Sequence, residues 1–170
     1  MREGLGADRY PEFVEFLKTM TFNSQVFGHY AFAAVQLAPS PNKPLAFFMA
    51  LNSVLWESPP FIYVDTTKYG GQGCYNPGEA GVQLDERLVQ SFVEDLKNPG
   101  KKSIQTLKKA VQMLLLHEML HWLDHENGGN YQHLRDREKD LIYLFEKRAY
   151  GKEQATLAAI LIELWERKRR

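Results

Sequence analysis

Leu114-Leu115-Leu116-His117-Glu118-Met119-Leu120-His121-Trp122-Leu123-Asp124-His125 is the stretch on which the reading of this chain turns. Around it, Leu107, Ala110, Val111, Leu114, Leu115 and Met119 recur so as to bury a helix on several sides. Ser103 stands where an N-cap oxygen is needed, and Asn127-Gly128-Gly129 stops the turn. The pattern predicts one long central helix from about Ile104 to His125. On it His117 and His121 lie four apart, one turn above each other on one face, a spacing that lets both imidazoles reach one zinc ion. Glu118 projects about 100° away from His117, too far round to chelate beside it. It remains close enough to take a proton from water held by the ion. Zinc lowers the pKa of such a water to roughly 7, so the predicted chemistry is hydrolysis of an amide, with Glu118 as general base. Three of the five histidines fall between His117 and His125 in an otherwise apolar helix, where unpaired polar groups are costly to bury. That clustering asks for a common partner.

A catalytic zinc needs a third protein ligand and one open position. Asn127 stands where two classes of zinc peptidase carry a histidine or an aspartate, which disfavours both. Asp124 shares the histidine face but lies about 4.5 Å further along the axis, while helical side chains lean back toward the N-terminus. It suits a bond to His121 from behind better than a place on the ion. His125 is a further turn on, and three rings strung along about 12 Å of straight helix do not close tetrahedrally. The remaining candidates, Glu138 and Glu146, both sit on a following helix of about Arg137 to Ala149, and pattern alone does not separate them.

The rest of the chain frames that helix. Pro11 fits a first helical turn followed by Phe13, Phe16, Leu17 and Met20 at helical spacing. Phe27 to Trp56, interrupted by Pro39, Pro41 and Pro44, reads as two short buried helices around a turn. Phe61 to Val64 after Pro59-Pro60, and Val82 to Leu84 after Gly78 and Gly81, read as strands. The glycine-rich run from Tyr69 to Gly78 reads as a loop. Asp85 caps a helix with the stripe Leu88, Val89, Phe92 and Leu96, and a last helix spans about Glu153 to Arg167.

At 170 residues the chain has the length of one domain. Its 21 basic and 21 acidic residues leave no net charge, so neither nucleic acid nor membrane insertion is expected. The single cysteine, Cys74, excludes an internal disulfide and a thiolate zinc cluster. No signal-peptide order is visible at the N-terminus.

Several segments together resemble the metallopeptidase toxin domains of bacterial polymorphic toxins and type VI secretion effectors, zincins with a gluzincin-like site. They are Pro59-Pro60-Phe61-Ile62-Tyr63-Val64-Asp65, the Tyr69 to Gly78 run, Val82-Gln83-Leu84-Asp85, Leu116 to Trp122, and Leu144-Phe145-Glu146-Lys147-Arg148-Ala149-Tyr150-Gly151. The resemblance implies an α+β fold, mainly helical, with a small β-sheet or hairpin and the central helix bearing the HExxH motif. It covers most of 59–151, and with the chain's length it gives the expectation of one metallopeptidase domain over 1–170: a helical part at 1–58 that has no counterpart in the resemblance, a motif-bearing core at 59–151 and a C-terminal helix at 152–170. It implies Glu146 as third ligand, although the acidic, glycine-containing segment that often precedes this glutamate is here Glu138-Lys139-Asp140-Leu141-Ile142. It further implies a protein substrate, a delivery protein, a cognate immunity protein, and a signal-peptide-independent passage from producer cytoplasm into a target cell.

Secondary candidates are Tyr69, Tyr75, Tyr143 and Tyr150 as oxyanion donors and Cys74 as an inhibitory thiolate. Val82 to Leu84 is a candidate edge strand for an extended substrate, and Arg167 to Arg170 a solvated basic helix end. Two other functions compete with a toxin: a housekeeping or processing metallopeptidase, and a non-catalytic zinc-binding interaction module with four protein ligands.

Overall fold

The computed structural model describes residues 6–54, 61–65, 71–76, 81–100, 102–128 and 141–168, and the backbone alone of 2–3 and 135–140. Pro59-Pro60, Tyr69, Gly78, Gly129, the Glu138 side chain, Arg169 and Arg170 lie outside the described residues.

In chain order the elements are β1 (Arg2–Glu3), a 3-10 turn (Ala7–Arg9), α1 (Pro11–Thr19), α2 (Ser24–Leu37), α3 (Lys43–Val54), β2 (Phe61–Asp65), β3 (Gly73–Asn76) and β4 (Gly81–Asp85). Then come α4 (Glu86–Lys97), α5 (Ile104–Glu126), α6 (Arg135–Tyr150), a 3-10 turn (Gly151–Glu153) and α7 (Gln154–Arg167). The fold is mainly helical α+β, as expected. The predicted caps are present: Asp85 accepts from the Arg87 N–H to start α4, and Ser103 from the Thr106 N–H to start α5.

Helix α5 is buried nearly all round because α2, α3, α4, α6, α7 and strands β3 and β4 all pack on it. Leu107, Ala110, Val111, Leu115, Leu116, Met119 and Leu120 are wholly buried along its length. A helix apolar on several faces can only be the core of such a layered packing. The same core extends to Phe13, Phe16 and Phe92, which join α1 to α4 with edge-on ring contacts at 5.1 and 6.3 Å.

The sheet runs β1-β2-β4-β3, with β2 parallel to β1 and β4, and β3 antiparallel to β4. Two expectations change here. The Tyr69 to Gly78 run is not wholly loop, since Gly73–Asn76 pairs with Gly81–Leu84. Val82 to Leu84 is not an edge strand either, because β4 is covered on both sides, by β2 and by β3. The edges among the described residues are the two-residue β1 and, beside the histidine helix, β3. Glycine weakens a strand by entropy and lost packing, but at position 73 it meets a steric need. A Cβ there would stand 3.1 Å from Cγ and Oε1 of Glu118.

The basic end of α7 also differs from expectation. Arg167 holds both carboxylate oxygens of Asp95 on α4, at 2.5 and 3.0 Å, and Lys168 reaches Glu94 at 2.8 Å. Asp95 is buried, so its charge needs this partner, and the helix end is tied down instead of solvated.

Candidate active site

Helix α5 delivers three of the expected side chains to one place. His117 and His121 stack one turn apart with ring centroids 5.1 Å apart and their Nε2 atoms 3.3 Å apart. From α6, Glu146 Oε1 lies 2.6 Å from His117 Nδ1. With the carboxylate accepting from Nδ1–H, the Nε2 of His117 carries the lone pair. The other oxygen of Glu146 accepts from Gln154 Nε2 at 3.0 Å. Gln154, the first residue of α7, had no sequence signal: it lies eight residues beyond Glu146 and outside every motif quoted above.

Glu118 is 6% exposed, the foot of the site against the sheet. Burial pushes its carboxyl pKa up, the imidazoles of His117 and His121 pull it down, Glu146 pushes it up again, and the Tyr75 backbone N–H, donating to the carboxylate, lowers it. The edge strand therefore holds this group in two ways, through that N–H and through the space left by Gly73.

The other candidates separate by their surroundings. Asp124 is 2% exposed, inside the core face of α5. His125 turns its Nδ1 to the Tyr75 hydroxyl at 2.8 Å, away from the other two imidazoles. Burial, with Glu126 adding to it, pushes the Tyr75 pKa up to about 12. Tyr143 is exposed. Tyr150 is buried against Phe145, its hydroxyl without a hydrogen-bond partner among the described residues. Its pKa is pushed up by burial first and by nearby Glu146 second. Cys74 alternates with Gly73 and Tyr75 along β3, so its thiol faces away from Glu118 and meets Gln83 Oε1 at 3.4 Å.

Among the described residues, no three His, Cys, Asp or Glu side chains are arranged around a common point as a metal's ligands are. His117, His121 and Glu146 close on one another by hydrogen bonds, with the carboxylate on the Nδ1 side of His117. The donor set nevertheless fits an ion in one respect. Two imidazole nitrogens each about 2.0–2.1 Å from a tetrahedral zinc stand roughly 3.3–3.4 Å apart, the observed Nε2 separation.

A cleft of about 410 Å³ opens over this group. His117, Glu118 and Glu146 form its polar side, Gly71 to Gly73 one lip, and side chains of α5 and α7 its apolar side. Ligand sites are commonly concave and of this size, with a few converging polar groups.

A family model described as metallopeptidase toxin 3 matches residues 7–151. No curated protein and no solved structure shows a significant match.

Proposed function

Because this chain belongs to the metallopeptidase toxin 3 family, we propose that it is a zinc-dependent endopeptidase in which His117, His121 and Glu146 hold the ion and Glu118 is the general base. The observation that carries this reading is the pair of imidazoles at ligand separation beside a buried carboxyl of raised pKa. When bound, zinc supplies a Lewis acid for the scissile carbonyl and acidifies a water.

The chain's own groups do the rest. Glu118, with its pKa pushed toward the working pH by burial, takes the proton of the attacking water and passes it to the departing amine. The Tyr75 N–H keeps its carboxylate aimed. Glu146, whose Oε1 is hydrogen-bonded to His117 Nδ1 and whose Oε2 is held by Gln154, would complete the ligand set from α6 by exchanging the Nδ1 bond for the ion. Asp124, buried on α5, would bond His121 from behind, and Tyr150 lies near enough to Glu146 for its charge to raise the phenol's pKa. In the cell the domain acts as an antibacterial effector. A delivery protein carries it into a competitor by a signal-peptide-independent route of the type VI kind, and a cognate immunity protein guards the producer.

The test is metal content. Wild-type protein is expected to carry one zinc, Glu138→Ala to keep it, and Glu146→Ala to lose it. An orienting partner's removal weakens metal affinity by about 10–100-fold, so a modest loss in Glu146→Ala would demote Glu146 to holding the Nδ1–H of His117. Absence of zinc from wild type after reconstitution would end the metallopeptidase reading.

A further inference from the structure

The cleft beside Glu118 is two-sided in its chemistry, and α7 builds most of the apolar side. Ala158, Leu161, Ile162 and Trp165 line it from α7, facing Met113 and Leu114 one turn before His117 on α5. These six carry no charge. Of the α7 set, Ile162 is 48% exposed, at the mouth of the cleft, while Leu161 is buried behind it. Trp165 is braced from another direction. The Arg87 guanidinium lies 5.5 Å from its ring centroid and is itself held by both oxygens of Asp85 at 2.9 and 2.8 Å. A wall fixed in this way loses little freedom when a ligand packs on it.

The α7 part of this wall stands outside the residues that match the family, which end at 151. The catalytic set and the surface that a substrate side chain meets therefore come from different parts of the chain. We propose that α7 forms a side-chain subsite selecting peptides with a large apolar residue, such as leucine, methionine or phenylalanine, next to the bond cut. The proposal rests on the peptidase reading above for the word "cut", and on the wall alone for the word "apolar". The cleft of about 410 Å³ accommodates one such side chain with its flanking backbone. An acidic side chain there would lose its water and face the carboxylates of Glu118 and Glu146 across the cleft, whereas a leucine would gain what burying a leucine ordinarily gives.

The experiment separates binding from cleavage. Zinc-supplemented Glu118→Gln protein carrying 5-fluorotryptophan would be titrated with two blocked pentapeptides, alanine throughout except for a central leucine or aspartate. The Trp165 fluorine resonance would be identified by its absence in Trp165→Phe. The leucine peptide is expected to shift it saturably at concentrations about tenfold or more below the aspartate peptide. Ile162→Arg, a change at an exposed position, and Ala158→Phe, which fills the cleft, should each abolish the shift while leaving the far-UV circular dichroism unchanged. Equal shifts from both peptides, or none from either, would overturn the subsite. In parallel, cut sites made by wild type in an unfolded protein would be mapped by mass spectrometry. Cutting with no apolar bias at a fixed position would refute the subsite and leave the peptidase reading intact. Discrimination in binding with no bond cut would refute the peptidase reading and leave α7 as an apolar peptide-binding wall.

Discussion

Glu118 is held in a place where an ionised carboxylate is poorly solvated, and its neighbours offset only part of that penalty. A carboxyl whose folded pKa lies above its unfolded one opposes folding once the pH passes the unfolded value, because ionisation costs more in the folded chain. Glu118→Gln keeps the shape and an oxygen for the Tyr75 N–H but carries no charge. Metal-free Glu118→Gln protein should therefore be more stable than metal-free wild type at neutral pH, by about 1 kcal/mol, in urea titrations. Its turnover should fall by a factor on the order of 10²–10⁴. A variant that was both less stable and fully active would remove Glu118 from the chemistry. Gln154 belongs to the same scale: it touches no expected ligand except Glu146, through one bond of 3.0 Å. Gln154→Ala should weaken zinc binding by about tenfold in chelator competition without changing the number of ions bound. The imidazole pair and Glu118 were legible in the sequence because both arise within one helix, where spacing alone fixes geometry. Glu146 was singled out only by resemblance, since the meeting of α6 with α5 is a tertiary fact. Gln154 was not legible at all, because its role exists only through the α6–α7 joint.

The helices were legible to within a few residues because caps and apolar spacing are local signals, and Asp85 and Ser103 sit where their side-chain oxygens were needed. The sheet was less so. Gly73–Asn76 has the composition of a turn, and what makes it a strand is its antiparallel pairing with β4 together with the room Gly73 leaves for Glu118. The place of Val82 to Leu84 depends on β2 lying alongside in parallel, a pairing that no local pattern encodes. Contacts between elements also set the pH response. Tyr10, at the start of α1, donates to Glu86 at the start of α4 at 2.9 Å, and burial with Glu86 pushes its pKa up to about 12 from 10.0. Below pH 10 the phenol is protonated in both states and its contribution is whole. Between about 10 and 12 the unfolded chain loses the proton first, so stability drains away as pH rises through that window. Tyr10→Phe should be less stable than wild type at pH 8 by about 1 kcal/mol, the net worth of a hydrogen bond. Its urea midpoint should fall less steeply than that of wild type between pH 10 and 12. Parallel declines would mean that the Tyr10–Glu86 bond does not persist in solution.

For the molecule as a whole, the question is how a chain with these properties harms a cell. It carries no net charge, and among the described residues no helix is long and apolar enough to cross a membrane. General affinity for nucleic acid needs a basic footprint, and a helical pore needs spanning helices. Membership of a metallopeptidase toxin family directs the test of injury to one site. Glu118→Ala removes the proposed general base and leaves the histidines, the apolar wall of α7 and the outer surface in place. Every injury arising from binding alone should survive that change, and every injury arising from hydrolysis should vanish. Expression of wild type in the compartment that holds its substrate is expected to arrest growth within a few generations, and Glu118→Ala at matched protein level to permit growth at the rate of an empty vector. Ile162→Arg should fall between them, with the toxic dose raised because the substrate is held less well while the base is intact. If wild type and Glu118→Ala arrested growth equally, the toxin would act by occupying a partner, and the cleft would be a binding groove whose buried carboxyl serves the fold.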